Sequence, residues 1–250
     1  MTERFDGRSP DELRPVQMEI DFTDVPAASV LIDMGKTRVL CTASVEESVP
    51  RWLRDKEPPQ GWVTAEYEML PGSTSPRGRR SRRRVGGRTK EIQRLIGRSL
   101  RGVIDLEKLG ERTIWLDCEV LQADGGTRTA SVTGAYVALA LACGRLVEAG
   151  ELEEMPLVDT IAAISCGMVD GDALLDLPYE EDVSADVDMN VVMTGGGEFV
   201  ELQGTGEEAT FSADELSALL ELANKGISEL TQMQRDALPA GDMYDELFAR

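Results

Sequence analysis

Alternating apolar and polar residues predict β-strands in the first part of the chain. Apolar side chains recur at every second position in several short runs, which is the period that buries one face of a strand. The segment Met-Gly-Lys-Thr, residues 34–37, separates two of these runs and is typical of a hairpin turn. Strands are predicted at residues 15–22, 28–35, 37–46, 62–70 and 113–122.

Two predicted helices lie on either side of the last of these strands. From about residue 89 to residue 104, apolar side chains recur every three or four positions, and Arg94, Arg98 and Arg101 lie on the other side. From about residue 129 to residue 148, the chain is apolar nearly all round the helix. Such a helix is expected to be buried between layers of secondary structure.

The second half of the chain repeats this pattern. Strand-type runs occur at residues 161–169, 173–182, 186–194 and 198–204, and a last amphipathic helix starts with the capping box at residues 212–215. Strands followed by helices in both halves predict an α+β fold with helices packed against mixed sheets. We expect a first half at residues 1–150, a second half at 151–238 and an acidic, frayed tail at 239–250.

Composition narrows the chemistry that this fold can carry. The 250 residues include no histidine, which excludes Ser-His-Asp and Cys-His catalysis and histidine-based zinc sites. The four cysteines lie far apart in apolar runs and are expected to be buried, reduced thiols. The longest uncharged stretch is too short to span a membrane, and the N-terminus has no apolar signal core. We therefore expect a cytoplasmic protein with no membrane partner.

A glycine-rich loop between a predicted strand and a predicted helix carries the strongest functional signal. Residues 122–131 read QADGGTRTAS. Gly125 and Gly126 let backbone N–H groups approach a ligand closely, and a helix N-terminus adds unpaired donors and partial positive charge. Arg128 adds a forked guanidinium suited to phosphate oxygens. The loop predicts a site for inorganic phosphate or a nucleotide phosphate, although it lacks the spacing of a Walker A loop.

A second glycine–arginine element, Gly87-Arg88-Thr89, stands at the start of the preceding predicted helix. Two arginines at two helix N-termini could clamp one anion from both sides. Each element by itself is about equally well explained as a helix cap with a surface arginine. Their occurrence together, beside a basic segment, favours the anion site.

Acidic residues near position 185 are candidates for metal or proton chemistry. Polar and apolar side chains alternate from residue 182 to residue 191, which slightly favours one straight strand. Asp182 and Asp188 would then lie about 20 Å apart and could not share a metal. A turn at residues 183–186 joining two antiparallel strands would instead bring them together. In that case they could hold Mg²⁺ or Mn²⁺, which prefer oxygen ligands, and one could act as a general acid.

The distribution of charge indicates a polyanion partner. A net charge of −20 argues against general affinity for nucleic acids, yet seven of the twelve residues 77–88 are arginine. An acidic protein with one basic segment fits a localised contact with a polyanion. The alternative is a disordered loop whose arginines serve only solubility. The candidates for this polyanion contact are Arg77, Arg79, Arg80, Arg82, Arg83 and Arg84.

Several long motifs closely resemble the bacterial ribonuclease PH family, and the similarity extends from about residue 3 to residue 235. They include GWVTAEYEMLPGS, GRTKEIQRLIGRSLR, DLEKLGERTIWLDCEVLQADGGTRTAS, YEEDVSADVDMNVVMTG and FVELQGTGEEATFS. Members of this family are phosphorolytic 3′-exoribonucleases, also called tRNA nucleotidyltransferases. The resemblance implies that inorganic phosphate attacks the 3′-terminal phosphodiester of a tRNA precursor or another RNA and releases a nucleoside 5′-diphosphate. The reverse reaction adds nucleotides, and DNA is not an expected partner.

The resemblance also implies site residues, a fold and an assembly. The residues that match the phosphate-binding motifs are Arg88, Gly126, Thr127 and Arg128. The residues that match the catalytic, metal-assisted pair are Asp182 and Asp188. The family's fold consists of two related halves like domain 2 of ribosomal protein S5, assembled as a homohexameric ring of three dimers. The basic segment at about residues 71–87 would contact the tRNA acceptor stem through its phosphates.

Two other functions compete with this interpretation. One is a ring-forming RNA-binding subunit that has lost catalysis, and the presence of both arginines and both aspartates argues against it. The other is a hydrolytic nuclease, which would release nucleoside monophosphates without needing phosphate.

Overall fold

A five-stranded sheet forms the first half of the protein. The computed structural model describes residues 4–79, 86–206 and 209–249. Its strands are β1 Val16–Ile20, β2 Ala28–Met34, β3 Thr37–Glu46, β4 Trp62–Met69 and β5 Thr113–Gln122. They lie in the order β1-β2-β3-β5-β4. Neighbours are antiparallel except β4 and β5, whose parallel pairing is allowed by the long connection that contains helix α1, Gly87–Arg101.

A four-stranded antiparallel sheet forms the second half. Its strands are β6 Ile161–Val169, β7 Asp172–Leu175, β8 Val187–Thr194 and β9 Phe199–Gly206. They lie in the order β7-β6-β8-β9. Every residue of β6 is buried, as expected for a central strand covered on both faces.

Two long helices pack between the sheets and form the core. Helix α3, Thr127–Glu148, contacts β2, β3 and β5 of the first sheet and β6 of the second. Helix α5, Ala213–Ala237, packs on β6 and β7 and reaches β1. By length and composition α3 could cross a membrane, but 89% of its most apolar window is buried inside the protein. The predicted burial of this helix is therefore confirmed, as is the α+β class.

Short helices complete the fold and correct two predictions. Helix α2 spans Leu106–Leu109, and α4 spans Tyr179–Ser184 inside a region that alternation had assigned to strands. Helix α6, Asp242–Asp245, is followed by a 3₁₀ turn at Glu246–Phe248. Tyr244 and Leu247 are buried in the main core, so the expectation of a frayed tail is wrong for the described residues up to 249. The tail is held in place because its apolar side chains pack into the core.

Candidate active site

The loop between β5 and α3 folds around two glycines in the left-handed conformation. Gly125 and Gly126 have φ angles of +74° and +65°. A Cβ atom on Gly125 would lie 2.5 Å from the carbonyl oxygen of Leu177, so no larger residue fits there. Gly126 is the N-cap of α3 and has no side chain to cap the helix. The N–H groups of the first helical turn are therefore available to an anion.

Two side chains from the first sheet and its N-terminal extension fix this loop. The Thr37 hydroxyl donates to the carbonyl oxygen of Gly125 at 2.6 Å and accepts from the backbone N–H of Asp124 at 2.9 Å. Arg14 donates through Nη1 to the carbonyl oxygen of Asp124 at 2.5 Å. The loop is thus held in its shape before any ligand binds.

Arg14 also connects the glycine loop to the second half of the chain through a buried ion pair with Asp176. Its backbone N–H and Nε donate to Asp176 Oδ2 at 2.8 and 2.9 Å, and Nη2 donates to Oδ1 at 2.6 Å. Burial would raise the pKa of Asp176, but the charge and hydrogen bonds of Arg14 hold it below its ordinary value. Burial also opposes the charge of Arg14, yet Asp176 raises the pKa of this guanidinium. Both groups are therefore charged at neutral pH.

A second buried ion pair fixes helix α4. Arg4 donates to both carboxylate oxygens of Glu181, at 3.0 and 2.6 Å, and through Nη1 to the carbonyl oxygen of Leu175 at 2.9 Å. Pro178 is the N-cap of α4, and the first turn carries Glu180, Glu181 and Asp182. Because Glu181 is held by Arg4, the adjacent Asp182 is fixed with the helix.

Asp182 and Asp188 line the same cleft, although the chain between them is neither a straight strand nor a hairpin. Asp182 lies in α4, the chain turns at residues 185–186, and Asp188 is the second residue of β8. The favoured straight-strand interpretation is wrong because α4 shortens the path. The alternative, a turn, correctly predicted that the two residues lie at the same site. The turn, however, connects a helix to a strand and not two strands.

All six residues predicted for phosphate binding and catalysis surround one cleft of about 780 Å³. From the first half come Arg88, Gly126, Thr127 and Arg128, and from the second half come Asp182 and Asp188. The cleft thus brings cationic groups and a helix N-terminus opposite two carboxylates. This arrangement suits a substrate that carries phosphate oxygens and needs them neutralised.

The guanidinium of Arg128 is held in place from two elements. Its Nη1 donates to Oε1 of Gln203 in β9 and lies 3.4 Å from Oε1 of Glu91 in α1. Arg88 is exposed in the first turn of α1, on the cleft. The two arginines therefore reach the cleft from different helices, as the sequence predicted.

Other residues on the cleft were missed by sequence reasoning. Ser165 of β6 pairs in register with Asn190 of β8, and both line the cleft with Tyr179 of α4. Asn190 follows Asp188 by two residues and continues its polar face, which is a signal that sequence could have supplied. Ser165 lies in an apolar run, and its position depends on a strand pairing that sequence does not show.

The basic segment is described only in part. Residues 74–76 line the cleft, and the neighbouring Arg77 and Arg79 are exposed. Arg80, Arg82, Arg83 and Arg84 lie outside the described residues. The predicted contact of this segment with RNA stays a prediction.

The donor set of the cleft is made of hard oxygen atoms. Carboxylates of Asp182 and Asp188, the amide oxygen of Asn190 and the hydroxyl of Ser165 are of the type that Mg²⁺ and Mn²⁺ prefer. Within the described ranges there is no group of three or more His, Cys, Asp or Glu residues that could enclose a metal ion. The donors fit an ion that keeps several waters and is completed by substrate phosphates.

Cys166 lies near this carboxylate face but is not a nucleophile. Burial raises the pKa of its thiol to about 12, and the charge of Asp188 adds to that effect. All four cysteines are free and buried, as predicted. The chemistry of the cleft therefore depends on oxygen and guanidinium groups.

Comparison with known proteins identifies the family. The model of the 3′ exoribonuclease family, domain 1, matches residues 12–143, and that of domain 2 matches residues 159–226. The chain belongs to the 3′ exoribonuclease family. This membership confirms the sequence-based interpretation of the chain as a phosphorolytic 3′-5′ exoribonuclease and nucleotidyltransferase.

Relatives of this family cover almost the whole chain. Ribonuclease PH of Bacillus subtilis is 59% identical over 247 residues, which are 98% of this chain and 99% of that protein. Ribonuclease PH of Corynebacterium efficiens is 59% identical over 237 residues, which are 94% of this chain and 96% of that protein. An inactive subunit is not favoured by similarity of this extent.

Solved structures share the fold. Rrp46 of rice matches with a TM-score of 0.76 at 20% identity, covering 94% of this chain and 100% of that one. The Archaeoglobus fulgidus exosome, solved with RNA bound to its active site, matches with a TM-score of 0.78 at 23% identity, covering 92% of both chains. The two-domain α+β architecture is thus confirmed.

Proposed function

We propose that the cleft holds inorganic phosphate against the 3′ end of RNA, with tRNA precursors as the substrate. The observation that carries this proposal is the meeting of both predicted arginines and both predicted aspartates in one cleft. Arg88, Arg128 and the first turn of α3 bind the attacking phosphate and the phosphodiester that it attacks. Since phosphate is already a nucleophile, the protein has to position it and neutralise charge, which needs no histidine base.

The reaction exchanges one phosphorus–oxygen bond for another. An oxygen of inorganic phosphate bonds to the phosphorus of the last phosphodiester, and the O3′ of the preceding ribose leaves. The leaving O3′ takes up a proton, which one of the two carboxyl groups, of Asp182 or Asp188, would give while the other stays ionised. The products are a nucleoside 5′-diphosphate and an RNA shortened by one nucleotide, and the same steps in reverse extend the RNA.

Asp182 and Asp188 would hold Mg²⁺ or Mn²⁺, with Asn190 and Ser165 beside them. A bound divalent cation supplies neutralisation of the charge that develops on the phosphate oxygens. The protein's part is to keep both carboxylates on one side of the cleft. The buried contact between Arg4 and Glu181 does this for Asp182, and the strand register of β8 does it for Asp188.

Binding of a structured RNA needs more surface than the cleft. We place the acceptor stem of a tRNA precursor on the arginine-rich part of the basic segment, residues 77–84, whose described arginines are exposed beside the cleft. Contacts of arginine with phosphates are independent of base identity. The protein would assemble as a homohexameric ring, an assembly supported by the family resemblance and by fold similarity to exosome subunits. It would work in the cytoplasm. DNA is not a proposed substrate.

An assay of product identity tests the proposal. We expect incubation of the full-length protein with a tRNA precursor to release nucleoside diphosphates in the presence of inorganic phosphate and Mg²⁺, and to stop when phosphate is removed. Monophosphate release in phosphate-free buffer would indicate a hydrolase. Binding of RNA without any product would indicate an inactive subunit.

A further inference from the structure

The hydroxyl of Tyr67 lies behind the phosphate-binding side of the cleft. Tyr67 belongs to β4 and is buried, and its hydroxyl donates to Oγ1 of Thr127 at 2.9 Å. Thr127, the first residue of α3, lines the cleft, whereas Tyr67 lies one layer deeper. Tyr67 therefore reaches the cleft through the hydroxyl of Thr127.

The direction of this hydrogen bond matters for an anion. A threonine hydroxyl has one proton to donate and two lone pairs that accept. When Tyr67 donates to the oxygen of Thr127, the proton of Thr127 is free to be donated to another acceptor. The backbone of Thr127 is fixed by the helix start, so the hydroxyl is the part that must be oriented.

Tyr67 remains a donor at neutral pH. Burial raises the pKa of its phenol, and this outweighs the charges of Arg88 and Arg128, which lower it. Thr127, to which Tyr67 is hydrogen bonded, lines the cleft together with both cationic groups, Arg88 and Arg128.

We propose that Tyr67 is a positioning residue, which turns the Thr127 hydroxyl so that its proton points at the phosphate bound by Arg88 and Arg128. This inference rests on the proposed phosphate site. A donor that is oriented before the ligand arrives does not have to be reorganised during binding. Tyr67 itself does not touch the phosphate.

Replacing Tyr67 with Phe tests the proposal because it removes only the hydroxyl. We expect the KM for inorganic phosphate to rise about three- to tenfold, the range for one lost hydrogen bond, and kcat to change less than about twofold. A matched control is Tyr136→Phe in α3. Tyr136 is fully buried, and its hydroxyl has no hydrogen-bond partner among the residues that the structure describes. This control should leave both constants unchanged.

A double-mutant cycle with Thr127→Val shows whether Tyr67 acts through Thr127. In the Thr127→Val protein, the further change Tyr67→Phe should leave the KM for phosphate unchanged, since the hydroxyl that Tyr67 orients is gone. A merely structural role would raise the KM by the same factor in both backgrounds. That result, or an unchanged KM in the single Tyr67→Phe protein, would overturn the proposal.

The same assay separates this inference from the phosphate site on which it rests. If Arg128→Ala keeps the wild-type dependence on phosphate, the proposed site itself is wrong. If Arg128→Ala loses that dependence while Tyr67→Phe has the wild-type KM, only the role of Tyr67 is wrong. Urea unfolding of each variant at neutral pH verifies that the compared proteins are folded.

Discussion

The two contacts of Arg128 leave the positive charge of its guanidinium largely uncompensated, so that it can attract an anion. Gln203 is a neutral acceptor, so it orients the guanidinium without cancelling its charge. Glu91 is acidic, but the contact is 3.4 Å long and its carboxylate is 42% exposed, so solvent screens the attraction. A phosphate in the cleft therefore meets a guanidinium that is both fixed and charged.

Replacement of Arg128 should lower the activity with phosphate and leave the fold intact. We expect Arg128→Ala to lower kcat/KM for phosphate about 100-fold or more, the effect of losing a charged donor at a developing negative charge. Steady-state release of nucleoside diphosphate at varied phosphate concentration measures this. Arg94→Ala is the control, since Arg94 is an exposed arginine of the nearby helix α1. Equal losses in both variants would contradict the specific role of Arg128.

The two aspartates should be needed for turnover but not for holding RNA. Asp182→Asn and Asp188→Asn keep the size of the side chain and remove its charge, so the site loses a cation ligand and a proton donor. We expect product release to fall below detection while the Kd for a tRNA precursor changes less than about threefold. Full activity of either variant would refute the assigned role, and loss of RNA binding would show that the change disturbs the cleft more widely.

At the scale of elements, sequence patterns predicted most helices and strands, because amphipathic elements show the period of a helix or a strand and the fully buried β6 and largely buried α3 are nearly continuous apolar runs. The exception is residues 173–188, where alternation favoured strands and the structure has β7, a turn, α4 and the start of β8. Pro178 followed by Glu180, Glu181 and Asp182 is a helix-start signal, since proline is common near the start of a helix and acidic residues favour the first turn. Alternation concealed it because the polar positions of a short helix can also fit a two-residue period.

The backbone conformation of the glycine loop should matter for phosphate binding. Gly125→Ala should cost the strain of a left-handed residue, about 1–2 kcal/mol, and also displace the loop from the carbonyl of Leu177. Gly150→Ala is a matched control, because Gly150 has a φ of +72° with no atom within 4 Å of an added Cβ. We expect both variants to be less stable in urea unfolding, but only Gly125→Ala to raise the KM for phosphate. A normal KM in Gly125→Ala would show that the loop tolerates movement.

At the scale of the whole molecule, the active site depends on contacts between residues far apart in sequence. Arg14 and Asp176 are 162 positions apart, and Tyr67 and Thr127 are 60 apart. Single-sequence periodicity carries no information on such pairs, so the sequence predicted residues that line the cleft and missed the residues that hold them in place. The family resemblance supplied the pairing of Asp182 and Asp188, which line one cleft although the local pattern alone favoured a straight strand that would separate them.

The Arg14–Asp176 pair should make the free energy of unfolding depend on pH in the acidic range. Because the folded pKa of Asp176 is lowered, its contribution is full above the unfolded value of about 3.9 and is lost as pH falls through the folded pKa. Asp176→Asn should lower the free energy of unfolding by about 3–5 kcal/mol at pH 7 and lose this part of the acid dependence. Asp33→Asn breaks an exposed pair with Arg38 and should cost about 1 kcal/mol or less. Equal effects of the two changes in urea unfolding from pH 7 to pH 3 would contradict the argument.

The basic segment should control RNA affinity through salt. Replacing Arg77, Arg79 and the arginines at 80, 82, 83 and 84 with Gln removes positive charge from a protein whose net charge is −20. We expect weaker binding of a tRNA precursor and a shallower slope of log K against log salt, while the KM for inorganic phosphate stays unchanged. Filter binding from low to moderate salt measures the slope. An unchanged slope would exclude this segment from the RNA contact.

The Arg14–Asp176 pair also limits how this chain can be recombined with its relatives. A chimera that joins residues up to about 150 of this protein to the second half of another member contains Arg14. Its partner Asp176, however, would come from the other protein, which need not have an acidic residue there. A partner half without a carboxylate at that place would leave a guanidinium buried and uncompensated against the glycine loop. Grafting between the halves therefore requires that each buried charge keeps its partner, and the same holds for Arg4 and Glu181.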